Sequence, residues 1–202
     1  MFLFVVIALI MSATFHEYMH GFAANQLGDP TAKNAGRLSL NPIKHLDLVG
    51  SVLIPLFLVI MQSPFLFGWA KPVPFNPYNL RNRKWGEAIV AAAGPGINIV
   101  IALVFGLILR FGASAMPVPA VFIVEMITLI NILLAIFNLV PIPPLDGSKI
   151  LFALLPPSAA NVRRIMEQYS TFLVLFFILV LWSYVFPLVI LVFSWITGMS
   201  LA

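Results

Sequence analysis

Apolar residues run almost unbroken through four stretches of the chain, and polar residues collect between them. The first, residues 1–27, opens with twelve positions free of charge, MFLFVVIALIMS, and ends near Gly28-Asp29-Pro30. Residues 87–112 and 119–140 form the second and third, and the third resumes after a proline break toward residue 155. The fourth, 170–198, is interrupted only by Ser183, Tyr184 and Pro187 and is long enough for one kinked span or two short ones. A helix needs about 20 apolar residues to cross a bilayer, so each stretch reads as membrane-spanning. A fifth apolar run, 48–62, has fifteen residues with Pro55 at its centre, which suits a re-entrant or interfacial segment better than a span. The pattern predicts an all-α membrane protein: a polytopic bundle of about 4–6 transmembrane helices, folded as a single domain over 1–202.

Composition agrees. The chain is 61% hydrophobic and 9% charged, against about 45–50% and about 25% in soluble domains. The net charge of +4 resides in loops beside membrane segments, so it speaks to orientation and not to nucleic acid. If 48–62 crossed the membrane, Lys33, Arg37, Lys44 and Arg110 would lie opposite the other seven basic residues. If it dips in and returns, ten of the eleven share one side. The positive-inside rule selects the second layout, with the loop 28–86 and the segment after 146 in the cytoplasm. A cleaved leader is disfavoured because no Lys or Arg precedes the first apolar run. In the loop, alternation over Gly36–Leu40 predicts short edge strands.

Within the first helix stands His16-Glu17-Tyr18-Met19-His20. Histidines four apart share one face of a helix and reach one metal ion. Glu17 between them is placed to take a proton from a water at that ion, the arrangement of zinc peptidases. Packing alone explains it poorly, because three uncompensated ionisable groups in an apolar span are costly. Cysteine is absent, so a third ligand must be His, Asp or Glu. His45 lies in the polar loop, where an interfacial role is as good a reading. Glu125 and Asp146 are the candidates at membrane depth. Asp146 follows Pro141, Pro143 and Pro144, which must break the third helix, and irregular backbone at that depth belongs beside a wet cavity. Glu125, Thr128 and Asn131 read as an interhelical hydrogen-bonding seam. Asn138 and Asn98, the latter in AAAGPGIN, are placed to border the site.

Together, HEYMH on an early helix, AGPGIN on a middle one and NLVPIPPLDG on a later one resemble the site-2 protease family of intramembrane zinc metalloproteases. GDPTAKNAGRLSLNPIKHLD and FGWAKPVPFNP are similar to its compact prokaryotic branch without a PDZ domain. The resemblance implies one catalytic Zn2+ on His16, His20 and Asp146. It implies Glu17 as the water-activating base and Asn138 as a holder of substrate or of the developing oxyanion. The substrate would be a transmembrane protein or peptide cut near the cytoplasmic face of a multi-pass cell-membrane protein, with the bilayer as the remaining partner. A membrane metal-ion transporter or sensor could use the same His/His/Asp set. The absence of polar residues before Ser12 argues against a through-path.

Overall fold

The computed structural model describes residues 2–54, 57, 60, 61, 70–82 and 84–200. Six helices dominate the described residues. They are α1 (Phe2–Gln26), α2 (Gly86–Gly112), α3 (Val118–Leu139), α4 (Asp146–Leu154), α5 (Ala160–Gln168) and α6 (Ser170–Thr197, with a wider turn at Phe177–Leu181). Among the described residues, four segments are long and apolar enough to cross a membrane: Leu3–Gln26, Gly86–Ala115, Val118–Leu139 and Ser170–Thr197. The last stretch is therefore one span-length helix. The expected third segment divides at residue 140, because Pro141 and Pro143 cannot donate to a helical ladder.

Residue pairing gives the helix directions. His20 meets Val90, while Ser12, eight residues earlier, meets Asn98 and Asn131. The start of α2 thus lies at the end of α1, and α1 and α2 are antiparallel. Gly106 of α2 packs beside Thr128 of α3, and Asn98 beside Asn131, so α2 and α3 are antiparallel as well. A Cβ on Gly106 would collide with Ile196 of α6, which is why this crossing admits no larger residue. The core there joins Ala102, Ile132, Val189, Phe193 and Ile196 from three helices. At the far end Arg110 Nη1 donates to the Trp195 carbonyl of α6 at 2.6 Å, a cation on the exposed acceptors of a helix C-terminus.

The chain leaves and rejoins the bundle at one point: the Arg81 amide donates to the Leu27 carbonyl at 2.9 Å. Gly28, at φ +104°, makes the turn out of α1. Fully buried Asp29 then accepts from the Asn76 amide at 2.6 Å and from Asn79 Nδ2 at 2.8 Å, tying the two ends of the loop. The re-entrant reading of 48–62 falls largely on residues outside those described; helical turns cover Leu48–Leu53. The edge strands expected over Gly36–Leu40 are not formed, and no strand occurs among the described residues. Side chains have taken the acceptors there. Lys44 Nζ donates to the Gly36 carbonyl at 3.0 Å, and His45 Nε2 lies 2.7 Å from that of Ser39.

Candidate metal centre

His16 and His20 sit one turn apart on α1, their ring centroids 4.6 Å apart and nearly perpendicular. Asp146 is the first residue of α4. The proline break turns the chain back so that this residue enters the bundle. Gly147 makes the return possible, since a Cβ there would strike the Leu139 carbonyl at the end of α3. Asp146 Oδ2 lies 3.1 Å from His16 Nε2 and 3.2 Å from His20 Nε2. His16 and Asp146 are buried, at 6% and 8% exposure, and one donor atom from each of the three residues lies within 4.8 Å of the others.

The remaining ring nitrogens are fixed by acceptors. His20 Nδ1 lies 2.7 Å from the Val90 carbonyl, which can only accept, so Nδ1 carries a proton and Nε2 is the nitrogen turned toward Asp146, where its lone pair would serve a metal ion. For His16 the same result is reached through a chain of amides. Asn131 Nδ2 donates to the Ile127 carbonyl at 2.8 Å, which leaves Oδ1 toward Asn98. Asn98 therefore presents Nδ2 to Asn131 at 2.8 Å, and Oδ1 to His16 Nδ1 at 2.6 Å. His16 Nδ1 carries the proton. A backbone carbonyl of α3 thus sets the tautomer of a histidine on α1, as outer partners do for metal-ligating histidines.

A divalent ion fits this geometry. Two imidazole nitrogens and a carboxylate oxygen, with a position left over, form the donor set of a catalytic zinc site. The space is also reserved: a Cβ on Gly94 of α2 would lie 2.5 Å from His20 Nε2 and 2.6 Å from His16 Nε2. Only a residue without a side chain leaves room between those nitrogens. Gly96, two residues on, has nothing within 4 Å of such a Cβ.

Glu17 lies beside the centre but is anchored elsewhere. Its Oε2 accepts from the Val73 amide at 2.8 Å. Val73 stands between Pro72 and Pro74, so it carries the one amide donor of that tripeptide. The segment is braced by Arg37 Nη2 on the Lys71 carbonyl at 2.8 Å and by the Lys71 amide on the His45 carbonyl at 2.9 Å.

The structure therefore brings together His16, Glu17, His20, Asn98 and Asp146. His45 is buried in the loop against Ser39 and is not among the three clustered donors. Asn138 turns its amide back onto the Leu134 carbonyl at 2.9 Å. Asn131, read from sequence as a structural seam, is both that and a support for His16. Val90 and Val73 escaped the sequence reading, and the glycines of AAAGPGIN, which read as close helix approach, gave no sign of the two histidine nitrogens beside Gly94. The proline bracket around Val73 and the glycine ahead of Pro95 were the available signals.

Comparisons with known proteins decide the family. A sequence profile described as Peptidase family M50 matches residues 108–181. "Putative zinc metalloprotease YwhC" of Bacillus subtilis (strain 168) is 40% identical over 182 residues, covering 86% of this chain and 80% of that protein. This chain belongs to peptidase family M50. It is a zinc metalloprotease of the site-2 protease kind, and its metal ligands and base must be sought in the cluster just described. "Putative zinc metalloprotease Rip2" of Mycolicibacterium smegmatis is 29% identical over 176 residues, covering 86% of this chain and 65% of that protein. "Putative zinc metalloprotease sll0528" of a Synechocystis strain is 38% identical over 83 residues, 41% of this chain and 21% of that protein. No solved structure matches.

Proposed function

We propose that this zinc metalloprotease hydrolyses peptide bonds of transmembrane protein substrates within the membrane, at the bundle end that faces the cytoplasm. One observation carries the reading: His16 and His20 stand about two to three turns inside the apolar span that ends at Gln26, and Asp146 meets them there. A substrate bond reaching them must enter the same layer. Basic residues support the orientation, because by their place in the chain ten of the eleven flank the helix ends nearest the site, and Arg110 alone lies at the other end.

Zinc held by His16 Nε2, His20 Nε2 and Asp146 Oδ2 would supply Lewis-acid activation of a water and of the scissile carbonyl. The protein's residues do the rest. Asn98 and the Val90 carbonyl keep both Nε2 lone pairs aimed inward. The Val73 amide holds Glu17 Oε2 and leaves Oε1 to accept the proton of the attacking water and return it to the leaving amine. A helical substrate has its carbonyls engaged in its own ladder, so it must unwind locally before one is attacked.

The test is Glu17→Gln, assayed in proteoliposomes against a transmembrane substrate. Zinc content at wild-type level with cleavage lost supports the proposal. Cleavage retained at wild-type rate refutes it, as does equal cleavage of a soluble unfolded peptide with no preference for the membrane-inserted one.

A further inference from the structure

The helix α5 buries none of its residues, yet it is strongly two-faced. Val162, Ile165, Met166 and Tyr169 recur at i, i+3, i+4 and i+7, with Val162, Ile165 and Tyr169 exposed by 49%, 52% and 54%. Arg163, Arg164 and Glu167 occupy the other side. A short helix with a bare apolar stripe and a charged back, joining two elements at one end of a membrane bundle, is built to lie in the interface.

Beside it a cavity of about 310 Å³ lies among the start of α2, α4 and α5. Lys84, Glu87, Lys149 and Arg163 supply its charges, and Phe152 and Leu155 part of its apolar wall. A neighbouring cavity of about 400 Å³ shares Glu87, Lys149, Phe152 and Arg163 and adds Pro143 and Glu167. Both carboxylates already have a partner in Arg163, at 3.5 Å for Glu87 and 2.9 Å for Glu167. The two lysines have none among the described residues. Lys149 Nζ rests 5.1 Å from the centre of the Phe75 ring, and Lys84 Nζ 5.4 Å from that of Trp85.

The charged side chains lining the two cavities therefore leave a net charge of +1, and two ammonium groups that form no ion pair among the described residues line a cleft with an apolar wall, next to a helix whose apolar stripe is exposed. We propose that this cleft binds the headgroup of an anionic phospholipid from the leaflet at the metal end, with Lys84 and Lys149 on the phosphodiester. Charge complementarity selects the anion, and the stripe of α5 selects a lipid over a free phosphate. The site bears on the metal centre through α4, because Lys149 lies one turn beyond the ligand Asp146 on the same short helix. The proposal rests on the membrane placement of the bundle and is independent of the peptidase reaction.

The experiment is native mass spectrometry of the purified full chain after equilibration with equimolar phosphatidylglycerol and phosphatidylcholine of matched chains. The wild type should retain phosphatidylglycerol preferentially. Lys149→Gln should reduce that preference about fivefold, and Lys84→Gln/Lys149→Gln should bring it close to parity. Lys33→Gln, with equal loss of charge at the same end but outside the cleft, should leave it unchanged. Lys84→Arg/Lys149→Arg should preserve it, which separates loss of the site from loss of the fold. Equal retention of the two lipids by the wild type overturns the proposal, as does unchanged preference in the double glutamine variant. Displacement of the lipid by millimolar inorganic phosphate would assign the cleft to a free anion and overturn it equally.

Discussion

Asn98 Oδ1 stands 2.6 Å from His16 Nδ1, and this contact decides which nitrogen of a candidate metal ligand carries a proton. Its direction is inherited from Asn131, itself fixed by the Ile127 carbonyl. Asn98→Leu should therefore weaken zinc binding by about 10- to 100-fold, as loss of an outer partner does elsewhere. Asn131→Leu should give a smaller loss in the same direction, since Asn98 Nδ2 then retains only the Ser12 carbonyl at 3.5 Å. Competition with a fluorescent zinc chelator measures both, and circular dichroism checks that helicity is kept.

Gly94→Ala is the most selective lesion the structure offers. Its methyl group would sit 2.5 Å from His20 Nε2 and 2.6 Å from His16 Nε2, on rings whose Nδ1 atoms are held by short hydrogen bonds. Zinc per chain should fall toward zero and cleavage with it. Gly96→Ala, on the same helix with open space around the new methyl, should leave both near wild type. Metal analysis of the two variants side by side is the measurement.

Val73→Pro removes the amide that holds Glu17 while leaving His16, His20 and Asp146 untouched. Zinc content should stay at wild-type level and kcat should fall by about 100-fold, the low end of what a positioned general base contributes. Val73→Ala keeps the amide and should retain most of the rate. It loses packing against Gly21, whose added Cβ would lie 3.0 Å from Val73 Cγ1. A fall in zinc content in the proline variant would mean that the bracket supports the ligands and not the base.

The bundle was legible in the sequence because its signal is physical and local: long uncharged runs and prolines that must stop a helix. His16, Glu17 and His20 were legible for the same reason, being fixed by helical spacing within one element. Asp146 required the further step of placing two helix ends on one side. What stayed hidden depends on backbone atoms and close approaches between elements. The Val90 carbonyl and Val73 amide have no residue-type signature, and the empty space at Gly94 exists only when α1 and α2 are packed. The loop misled in the opposite sense. Alternation over Gly36–Leu40 resembled a strand, but Lys44 and His45 had taken two of its carbonyls.

Asp29 carries the prediction that acidity will release the loop from the bundle. Burial alone would raise its pKa. Hydrogen bonds from the Thr31 hydroxyl, Asn79 Nδ2 and the amides of Asn76 and Thr31 outweigh burial, and the carboxyl is held below its usual range. A carboxyl whose folded pKa is depressed contributes stability that is fully present above its unfolded value of about 3.9. That contribution is lost as pH falls through the lower, folded value. The Asn76 amide should therefore stay protected from hydrogen exchange at pH 5 to 7 and lose protection as the solution is taken below about pH 4. Asp29→Asn should lower that protection already at neutral pH, by about 2 kcal/mol for an exchanged charge-assisted network. Because Asp29 joins Gly28 to the 76–79 turn and leaves the zinc ligands alone, the variant should keep its metal while its loop opens. Hydrogen exchange and zinc content measured on one preparation separate the two, and a variant with a wild-type exchange profile at pH 7 would remove Asp29 as the tie.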